Sequence, residues 1–214
     1  VPFNMLREGL DIQVLKKLGI SAQGEPDLEK WKSFLYRLKN PLTEVNIGLV
    51  GKYVELKDAY KSISEAFIHA GAATQCKVKI KWIHSEKLED NPDCIQEELQ
   101  GLNGILVAPG FGSRGIEGKI MAVRYARENK IPFLGICLGM QCAVIEFARN
   151  VLGYKDAHSV EMSASTTHPV IDIMEEQKLI QNMGGTMRLG AYPCKLKENT
   201  KIYSAYQKEN ISER

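Results

Sequence analysis

The stretch FLGICLGMQ, residues 133–141, decides how this sequence is interpreted. The apolar run IPFLGIC predicts a strand, and the following LGMQCAVIEFARNV predicts a helix that begins directly after Cys137. In α/β proteins, a tight strand-to-helix turn with small residues on both sides of a nucleophile lifts its side chain above the sheet. The positive end of the helix would then point at the Cys137 sulfur and stabilise a thiolate. Cys137 is therefore predicted to be a nucleophile, with a buried structural thiol at a turn as the alternative.

The alternation of strand and helix extends outward from this stretch over residues 44–152. The predicted strands lie in EVNIGLVGKY, KVKIKWI, GILVAPG and IPFLGIC, and the predicted helices lie in DAYKSISEAFIHAG, PDCIQEELQ, IMAVRYARENK and LGMQCAVIEFARNV. This order predicts an α/β fold in three layers, with a mostly parallel open sheet and helices on both faces. Ligands of such folds bind at the carboxyl ends of the strands, where Cys137 is expected to lie.

A second glycine-rich stretch, APGFGSRG at residues 108–115, follows the predicted strand GILV. Its backbone N–H groups would lie at the same sheet edge as Cys137 and could stabilise an oxyanion. A plain tight loop or a phosphate cradle would fit the same residues. The GxxxxGK[ST] pattern of a phosphate-binding loop is absent from the sequence.

A cysteine nucleophile normally needs a histidine base. The histidines of the sequence are His69, His84, His158 and His168. His69 is placed late in a helix, His84 at the end of a strand, and the other two in a polar, loop-like segment. No acid stands at position 170 after His168-Pro169, and none of the four histidines is predicted to be the base.

Composition excludes several classes of protein. The 214 residues carry 28 basic and 26 acidic side chains, so a net charge of +2 indicates neither a nucleic-acid partner nor an acidic membrane partner. No apolar run approaches the roughly 20 residues that span a bilayer. The five cysteines are widely spaced without a CxxC pair, which favours free thiols in a reducing cytoplasm over disulfides or zinc.

Residues 1–43 differ from the α/β pattern that follows. LREGLDIQVLKKLG predicts one amphipathic helix that ends at Gly19, and a second helix is expected between Pro26 and Asn40. Because the chain does not begin with Met, we expect that it starts inside a longer protein. Beyond Leu152 the segment is polar and loop-like, MGGTMRLGAYPCKL predicts β structure, and no closing element is predicted near the end.

The combination of GICLGMQ with PGFGSRGIEGKI resembles the class I, triad-type glutamine amidotransferases, which have a flavodoxin-like fold. VGKYVELKDAYKSISEA, DAHSVE and MGGTMRLGAYPCKL narrow the resemblance to the glutaminase half of the CTP synthase family. On this basis residues 1–43 resemble the end of the synthetase half and a helical linker, and residues 44–214 resemble a glutamine amidotransferase domain that is incomplete at its C-terminus. The alternatives are the amidotransferase domain of another biosynthetic synthetase and a non-catalytic regulatory module of the same fold.

The resemblance implies a role for individual residues. Cys137 would attack the glutamine amide, form a glutamyl thioester and release ammonia. The residues implied to bind glutamine or its oxyanion are Gly110, Leu138, Gly139, Met140, Gln141 and Glu161. The residues implied in activation by GTP are Phe111, Thr186 and Arg188.

The resemblance also implies partners. The ammonia would pass to a synthetase domain of the same polypeptide, where ATP and Mg²⁺ support the amination of UTP to CTP. The full-length enzyme would be a cytoplasmic homotetramer activated by GTP. L-Glutamine would be the substrate of this domain, which is expected to hold no cofactor and no metal and to contact neither nucleic acid nor membrane.

Three departures from the family pattern stand out. The family loop reads P-G-G-F-G, whereas Pro109 replaces the first glycine here and removes a backbone donor. The family segment that carries a glutamine-binding arginine would only begin at Glu213-Arg214. The histidine and glutamate of the family triad have no counterpart in residues 1–214, so this chain alone is expected to be nearly inactive.

Overall fold

The computed structural model describes residues 1–21, 24–173 and 191–213. The strands, in chain order, are β1 Thr43–Gly51, β2 Cys76–His84, β3 Gly104–Val107, β4 Phe133–Gly135, β5 His158–Ser159, β6 Pro169–Ile171, β7 Tyr192–Lys195 and β8 Asn210–Glu213. The α-helices are α1 Pro2–Arg7, α2 Leu10–Lys17, α3 Glu29–Lys39, α4 Lys61–Thr74, α5 Ser85–Asp90, α6 Ile95–Leu99, α7 Ile116–Glu128, α8 Leu138–Asn150 and α9 Lys201–Tyr206. Short 3-10 helices occupy Lys57–Tyr60 and Pro92–Cys94. Within these ranges no helix is both long and apolar enough to cross a bilayer.

The central sheet contains four parallel strands in the order β2-β1-β3-β4. Val50 of β1 pairs with Ile83 of β2 and with Val107 of β3, and Val107 also faces Gly135 of β4. The carboxyl ends of the four strands therefore lie along one edge of the sheet. Both glycine-rich stretches begin at this edge, at the ends of the neighbouring strands β3 and β4. The predicted parallel sheet is confirmed.

Helices cover both faces of the sheet, as the three-layer prediction requires. Consecutive residues of β1 point to opposite faces, and Leu49 and Val50 accordingly belong to two separate cores. The core that contains Leu49 is covered by α4, which contributes Phe67. The core that contains Val50 is covered by α5, α7 and α8. These three helices bury Leu88, Ile120 and Ile145 there.

Strand β4 is shorter and more exposed than the sequence predicts. The apolar run IPFLGIC reads as a buried strand, but only Phe133–Gly135 pair with β3, and Leu134 is 57% exposed. The reason is its position at one end of the sheet, because α4 packs mainly against β2 at the other end. Two adjacent apolar pockets share Phe67, Leu106 and Leu134, and together they form an open groove beside β4.

Three local predictions were wrong. The single helix expected before Gly19 is divided into α1 and α2, because Gly9 between them adopts a left-handed conformation with φ of +66°. The short helix α5 is absent from the predicted pattern. The last residues do contain closing elements, since α9 is followed by β8, which pairs antiparallel with β7.

The N-terminal segment touches the sheet domain through α3. The rings of Phe34 on α3 and His69 on α4 have centroids 5.2 Å apart. None of the helices α1, α2 and α3 contains a fully buried residue, so this segment forms no core of its own. The predicted domain boundary after residue 43 falls at the start of β1, which begins at Thr43, and it stays a prediction.

Candidate active site

Cys137 occupies a strained elbow between β4 and α8. Its backbone has φ of +53° and ψ of −109°, a combination that residues with a Cβ rarely adopt. The side chain is exposed although the residue follows directly on the sheet. Strain of this kind persists only where the surrounding structure enforces it, and it is typical of functional sites. The elbow predicted from the sequence is confirmed.

The two glycines beside Cys137 are needed because the elbow is packed against its neighbours. A Cβ atom on Gly135 would lie 2.5 Å from the carbonyl carbon of Gly139, inside the first turn of α8. A Cβ atom on Gly139 would overlap the carbonyl oxygen of Val107 in β3. The elbow is thus pressed onto both its own helix and the adjacent strand, which fixes where the Cys137 side chain can point.

The first turn of α8 begins at the elbow and is hydrogen-bonded to its backbone. The N–H groups of Met140 and Gln141 donate to the carbonyl oxygen of Cys137, at 3.0 and 3.1 Å. The N–H of Leu138, the first helical residue, is one of the N-terminal amides that have no acceptor within the helix. Unpaired amides and the helix dipole favour negative charge at this end, as an oxyanion or thiolate would carry.

The loop that follows β3, residues 108–112, reaches the same place. A Cβ atom on Gly110 would be 3.7 Å from Cδ2 of Leu138, so Gly110 lies next to the first residue of α8. Pro109 supplies no N–H, and the Gly110 amide is the first donor of this loop beyond Ala108, whose own N–H donates to Val50 at 2.9 Å. The structure therefore brings together Cys137, Leu138 and Gly110.

The remaining residues of the predicted glutamine site are distributed around the elbow. Gly139 is buried, Gln141 is half-buried and Met140 is 49% exposed, all three on the first turn of α8. Glu161 lies in an exposed turn directly after β5, and its N–H donates to the hydroxyl of Ser159 at 3.3 Å. The contacts of Glu161 do not join it to the elbow, so its role in binding glutamine stays a prediction.

The turn that carries Glu161 is attached to α7 and α8 by a polar network. Arg149 on α8 donates to the carbonyl oxygen of Ala157 at 2.7 Å and to Glu117 on α7 at 2.8 Å. Nε2 of His158 lies 3.7 Å from the same Glu117 carboxylate. Burial lowers the pKa of His158, and the nearby Arg149 lowers it further. The network places the β5 segment on the same helices that support the elbow.

Of the residues implied in GTP activation, only Phe111 can be placed. Its side chain is 75% exposed at the tip of the 108–112 loop. Thr186 and Arg188 lie outside the described residues.

The histidines are engaged away from Cys137. His84 ends β2, three strand positions from β4, which corresponds to about 14 Å along the sheet edge. The ring of His69 is tilted against that of Phe34, and His158 belongs to the network with Glu117. Nδ1 of His168 is 2.5 Å from Oδ1 of Asp156. Among the described residues, no hydrogen bond joins any of the four histidines to Cys137.

Cys142 is buried whereas Cys137 is exposed, although the two cysteines are close in sequence. The side chain of Cys142 is completely buried among the core residues of α7 and α8. Burial raises the pKa of its thiol to about 11, so it stays protonated at neutral pH. Cys142 is therefore a packing residue of the core.

Two lysines at this sheet edge were not identified from the sequence. Lys52, directly after β1, is 4% exposed, and Lys119 on α7 is fully buried. Both ammonium groups donate to carbonyl oxygens of the 108–112 loop. A signal for Lys119 does exist, because it lies between Ile116 and Val123 on the apolar face of α7, where a lysine is unusual.

The donor groups at the elbow are amides, lysines and a thiol, which is not the set that binds a metal ion. Within residues 1–21, 24–173 and 191–213, no cluster of three or more His, Cys, Asp or Glu side chains could hold one. The arrangement instead offers a sulfur nucleophile with N–H donors beside it, which suits attack on a carbonyl carbon.

Comparison of the sequence with known proteins relates this chain to one family. The family model described as glutamine amidotransferase class-I matches residues 55–213. The chain is also similar, over its whole length, to proteins named CTP synthase: 65% identical to that of Cytophaga hutchinsonii and 56% identical to that of Bacteroides fragilis. The chain spans 39% and 40% of these two relatives.

A solved structure supports the same relationship. It is described as the glutaminase domain of Trypanosoma brucei CTPS with bound acivicin, and it matches with a TM-score of 0.67 and 36% sequence identity. The match covers 79% of this chain and 65% of that one. The agreement extends from the sequence pattern to the three-dimensional fold.

Proposed function

Because this chain belongs to the class-I glutamine amidotransferase family, we propose that it hydrolyses the side-chain amide of L-glutamine with Cys137 as the nucleophile. The observation that carries the proposal is the strained, exposed elbow at Cys137, held between glycines that have no room for a Cβ atom. No structural need explains a cysteine with positive φ at this point. A nucleophile presented to a substrate does explain it.

In the first half of the reaction, the Cys137 sulfur attacks the side-chain carbonyl carbon of glutamine. The π electrons of the carbonyl move to its oxygen, which the N–H groups of Leu138 and Gly110 are proposed to stabilise. The carbon–nitrogen bond then breaks, and the nitrogen leaves as ammonia with the proton that the thiol gave up. A γ-glutamyl thioester on Cys137 remains.

In the second half, water attacks the thioester carbon and the sulfur leaves, which gives glutamate and restores the thiol. Both halves need a group that moves protons, and the four histidines of residues 1–214 are engaged elsewhere. We therefore expect residues 1–214 alone to release ammonia at least about a thousandfold more slowly than the intact gene product. Equal rates would show that the base lies within residues 1–214.

We further propose that the ammonia is used for the synthesis of CTP. The support is the similarity of the whole chain to CTP synthases. The proposal includes a synthetase domain in the same polypeptide, with UTP, ATP and Mg²⁺ bound there rather than at the elbow. Phe111, Thr186 and Arg188 are proposed to respond to GTP, and the intact enzyme is proposed to be a cytoplasmic homotetramer. No cofactor or metal is proposed for the glutaminase site itself.

Isotope tracing tests both steps in the intact gene product. Glutamine labelled with ¹⁵N in the amide should give labelled ammonia, and with UTP, ATP and Mg²⁺ it should give CTP labelled in the amino group. GTP should raise the rate of labelling. Release of labelled ammonia without labelled CTP would refute the CTP step alone. Absence of glutamine-dependent ammonia would refute the glutaminase.

A further inference from the structure

Lys119 is a charged residue in the interior of the protein. Its side chain is completely buried on α7, and Nζ donates to the carbonyl oxygen of Ala108 at 2.8 Å. Lysine is among the residues least often buried completely, because transfer of an ammonium group out of water is unfavourable unless it is hydrogen-bonded. The family relationship and the mechanism above give Lys119 no role.

The Lys119 ammonium lies directly beneath the Gly110 loop. A Cβ atom on Gly110 would be 3.6 Å from Nζ of Lys119 and 3.7 Å from Cδ2 of Leu138. The three residues therefore meet at one point, and two of them carry the amides assigned to the oxyanion. The Ala108 carbonyl that Lys119 holds belongs to the peptide bond directly before Pro109, so the hydrogen bond fixes the entry of the loop.

Lys52 fixes the other end of the same loop. Its Nζ donates to the carbonyl oxygens of Phe111 and Gly112, at 2.5 and 2.9 Å. None of the three held carbonyls shares a planar peptide group with the Gly110 N–H, so the two lysines restrict this amide by fixing the loop on both sides of it. Gly110 lies between the two held ends, although Gly112 with its φ of +73° leaves the loop conformationally adaptable.

The charges around Lys119 support this arrangement. Burial lowers its pKa to about 8, the neighbouring Lys52 lowers it as well, and the thiols Cys142 and Cys137 raise it. The ammonium form still predominates at neutral pH, since a pKa near 8 exceeds the pH by about one unit. A positive charge is therefore present beneath the loop under ordinary conditions.

We propose that Lys119 is a positioning residue of the glutaminase site: its ammonium group holds the Ala108 carbonyl and thereby holds the Gly110 amide beside Cys137. Lys52 holds the far end of the loop, and the two lysines together are called the clamp below. The proposal rests on the proposed function, because it assigns the Gly110 amide to the oxyanion of a bound glutamine. Lys119 itself does not touch the reacting atoms.

The test compares two alkylating reagents on Cys137 in the intact gene product. A chloroketone analogue of glutamine reacts through the substrate site, whereas iodoacetamide needs only the exposed thiol. In Lys119→Met, which keeps the length of the side chain without its charge, modification by the chloroketone should slow at least about tenfold. Modification by iodoacetamide should change less than about twofold. Lys52→Met should shift the ratio in the same direction, and Lys155→Met, in an exposed turn, should leave it unchanged.

Steady-state kinetics and amide exchange add two further measurements. The oxyanion forms only in the transition state, so Lys119→Met should lower kcat with little change in KM for glutamine. Amide hydrogen exchange in a peptide that spans residues 108–113 should become faster in Lys119→Met and Lys52→Met but not in Lys155→Met.

The outcomes separate the clamp from the glutaminase proposal. Unchanged amide exchange together with an unchanged reagent ratio in Lys119→Met would overturn the positioning role. Equal slowing of both reagents would also overturn it, since Lys119 would then support the elbow as a whole. If the unsubstituted protein reacts no faster with the glutamine chloroketone than with a chloroketone that lacks the amino-acid part, the proposed glutamine site is itself wrong.

Discussion

One cysteine directly precedes α8 and another lies within it, and the two have opposite environments. Cys137 is exposed at a backbone conformation that few residues adopt, directly before the first residue of α8. Cys142, little more than one turn later, is fully buried with a thiol pKa raised to about 11. The comparison teaches that backbone geometry and burial, rather than residue type or helix, decide which thiol can react.

The largest expected difference between the two thiols is in catalysis. Cys137→Ala in the intact gene product should reduce glutamine hydrolysis at least about ten-thousandfold, because the thioester can no longer form. Cys142→Ala should keep most of the hydrolysis and lower the free energy of unfolding by about 1 to 2 kcal/mol through the small cavity that it leaves. Ammonia release and chemical denaturation measure the two effects.

Added ammonia provides the control for that prediction. If the CTP step is correct, ammonia should restore CTP formation in Cys137→Ala, since it bypasses the elbow. If a Cys142→Ala variant loses hydrolysis while remaining folded, the assignment of Cys137 as the nucleophile is wrong.

Chemical labelling compares the same thiols without any substrate. With iodoacetamide at pH 7.5, Cys137 should react at least about a hundredfold faster than Cys142, since Cys142 is both inaccessible and protonated. Peptide mapping by mass spectrometry after short exposures gives the two rates. Cys94, also buried, should resemble Cys142. Faster labelling of Cys142 than of Cys137 would contradict the elbow.

Two glycines, one in the first turn of α8 and one in the 108–112 loop, allow the tightness of backbone packing to be compared. Gly139→Ala should lower the free energy of unfolding by about 3 kcal/mol or more, because its Cβ would overlap the Val107 carbonyl oxygen in β3. Gly110→Ala should change it by less than about 1 kcal/mol, because its Cβ would have ordinary contacts at 3.6 and 3.7 Å. Urea denaturation of the two variants tests this. Similar losses in both would show that the elbow is no tighter than the loop.

The last prediction concerns the pH dependence of stability at Lys119, which lies in the same region as both thiols. The unfolded chain keeps this proton up to a pKa of about 10.5, whereas the folded protein releases it near pKa 8. Between these pH values the unfolded state binds more protons, so stability rises with pH, by at most about 3 kcal/mol. Lys119→Met should lack this increment.

The measurement is the difference between the free energies of unfolding of the two proteins as a function of pH. The thiols Cys137 and Cys142, which face Lys119, are present in both proteins, so the difference reports Lys119 together with its interactions with them. Lys52, the other neighbouring cation, is present in both proteins. The difference should be level below pH 8, change between pH 8 and 10.5, and be level again above that range. A difference that does not vary with pH would mean that Lys119 is not desolvated.

The sequence predicted the parts of the structure that depend on local patterns. Strand order along the chain, the parallel sheet and the elbow all follow from periodicity and from glycine placement around Cys137. These features are set by residues close in sequence, whose preferences agree with the final fold.

The parts that sequence did not predict depend on contacts between distant segments. The roles of Lys52 and Lys119 arise only when β1 and α7 meet the loop after β3. The exposure of Leu134 depends on which helices lie over β4, and the pairing of β7 with β8 depends on two segments that α9 separates. Gly9 was misjudged because one glycine inside a helical pattern is compatible with either a continuous or a divided helix.

The open groove beside β4 affects how the protein behaves in solution. Leu134 and Phe67 line an apolar groove next to the last strand of the four-stranded sheet, which the buried Leu106 also lines. An exposed apolar groove beside a strand at the end of a sheet favours self-association, because association buries apolar surface. Residues 1–214 prepared alone are thus expected to lose monomer as their concentration or the concentration of a salting-out agent increases, and a charged substitution at Leu134 is the simplest means of keeping them soluble.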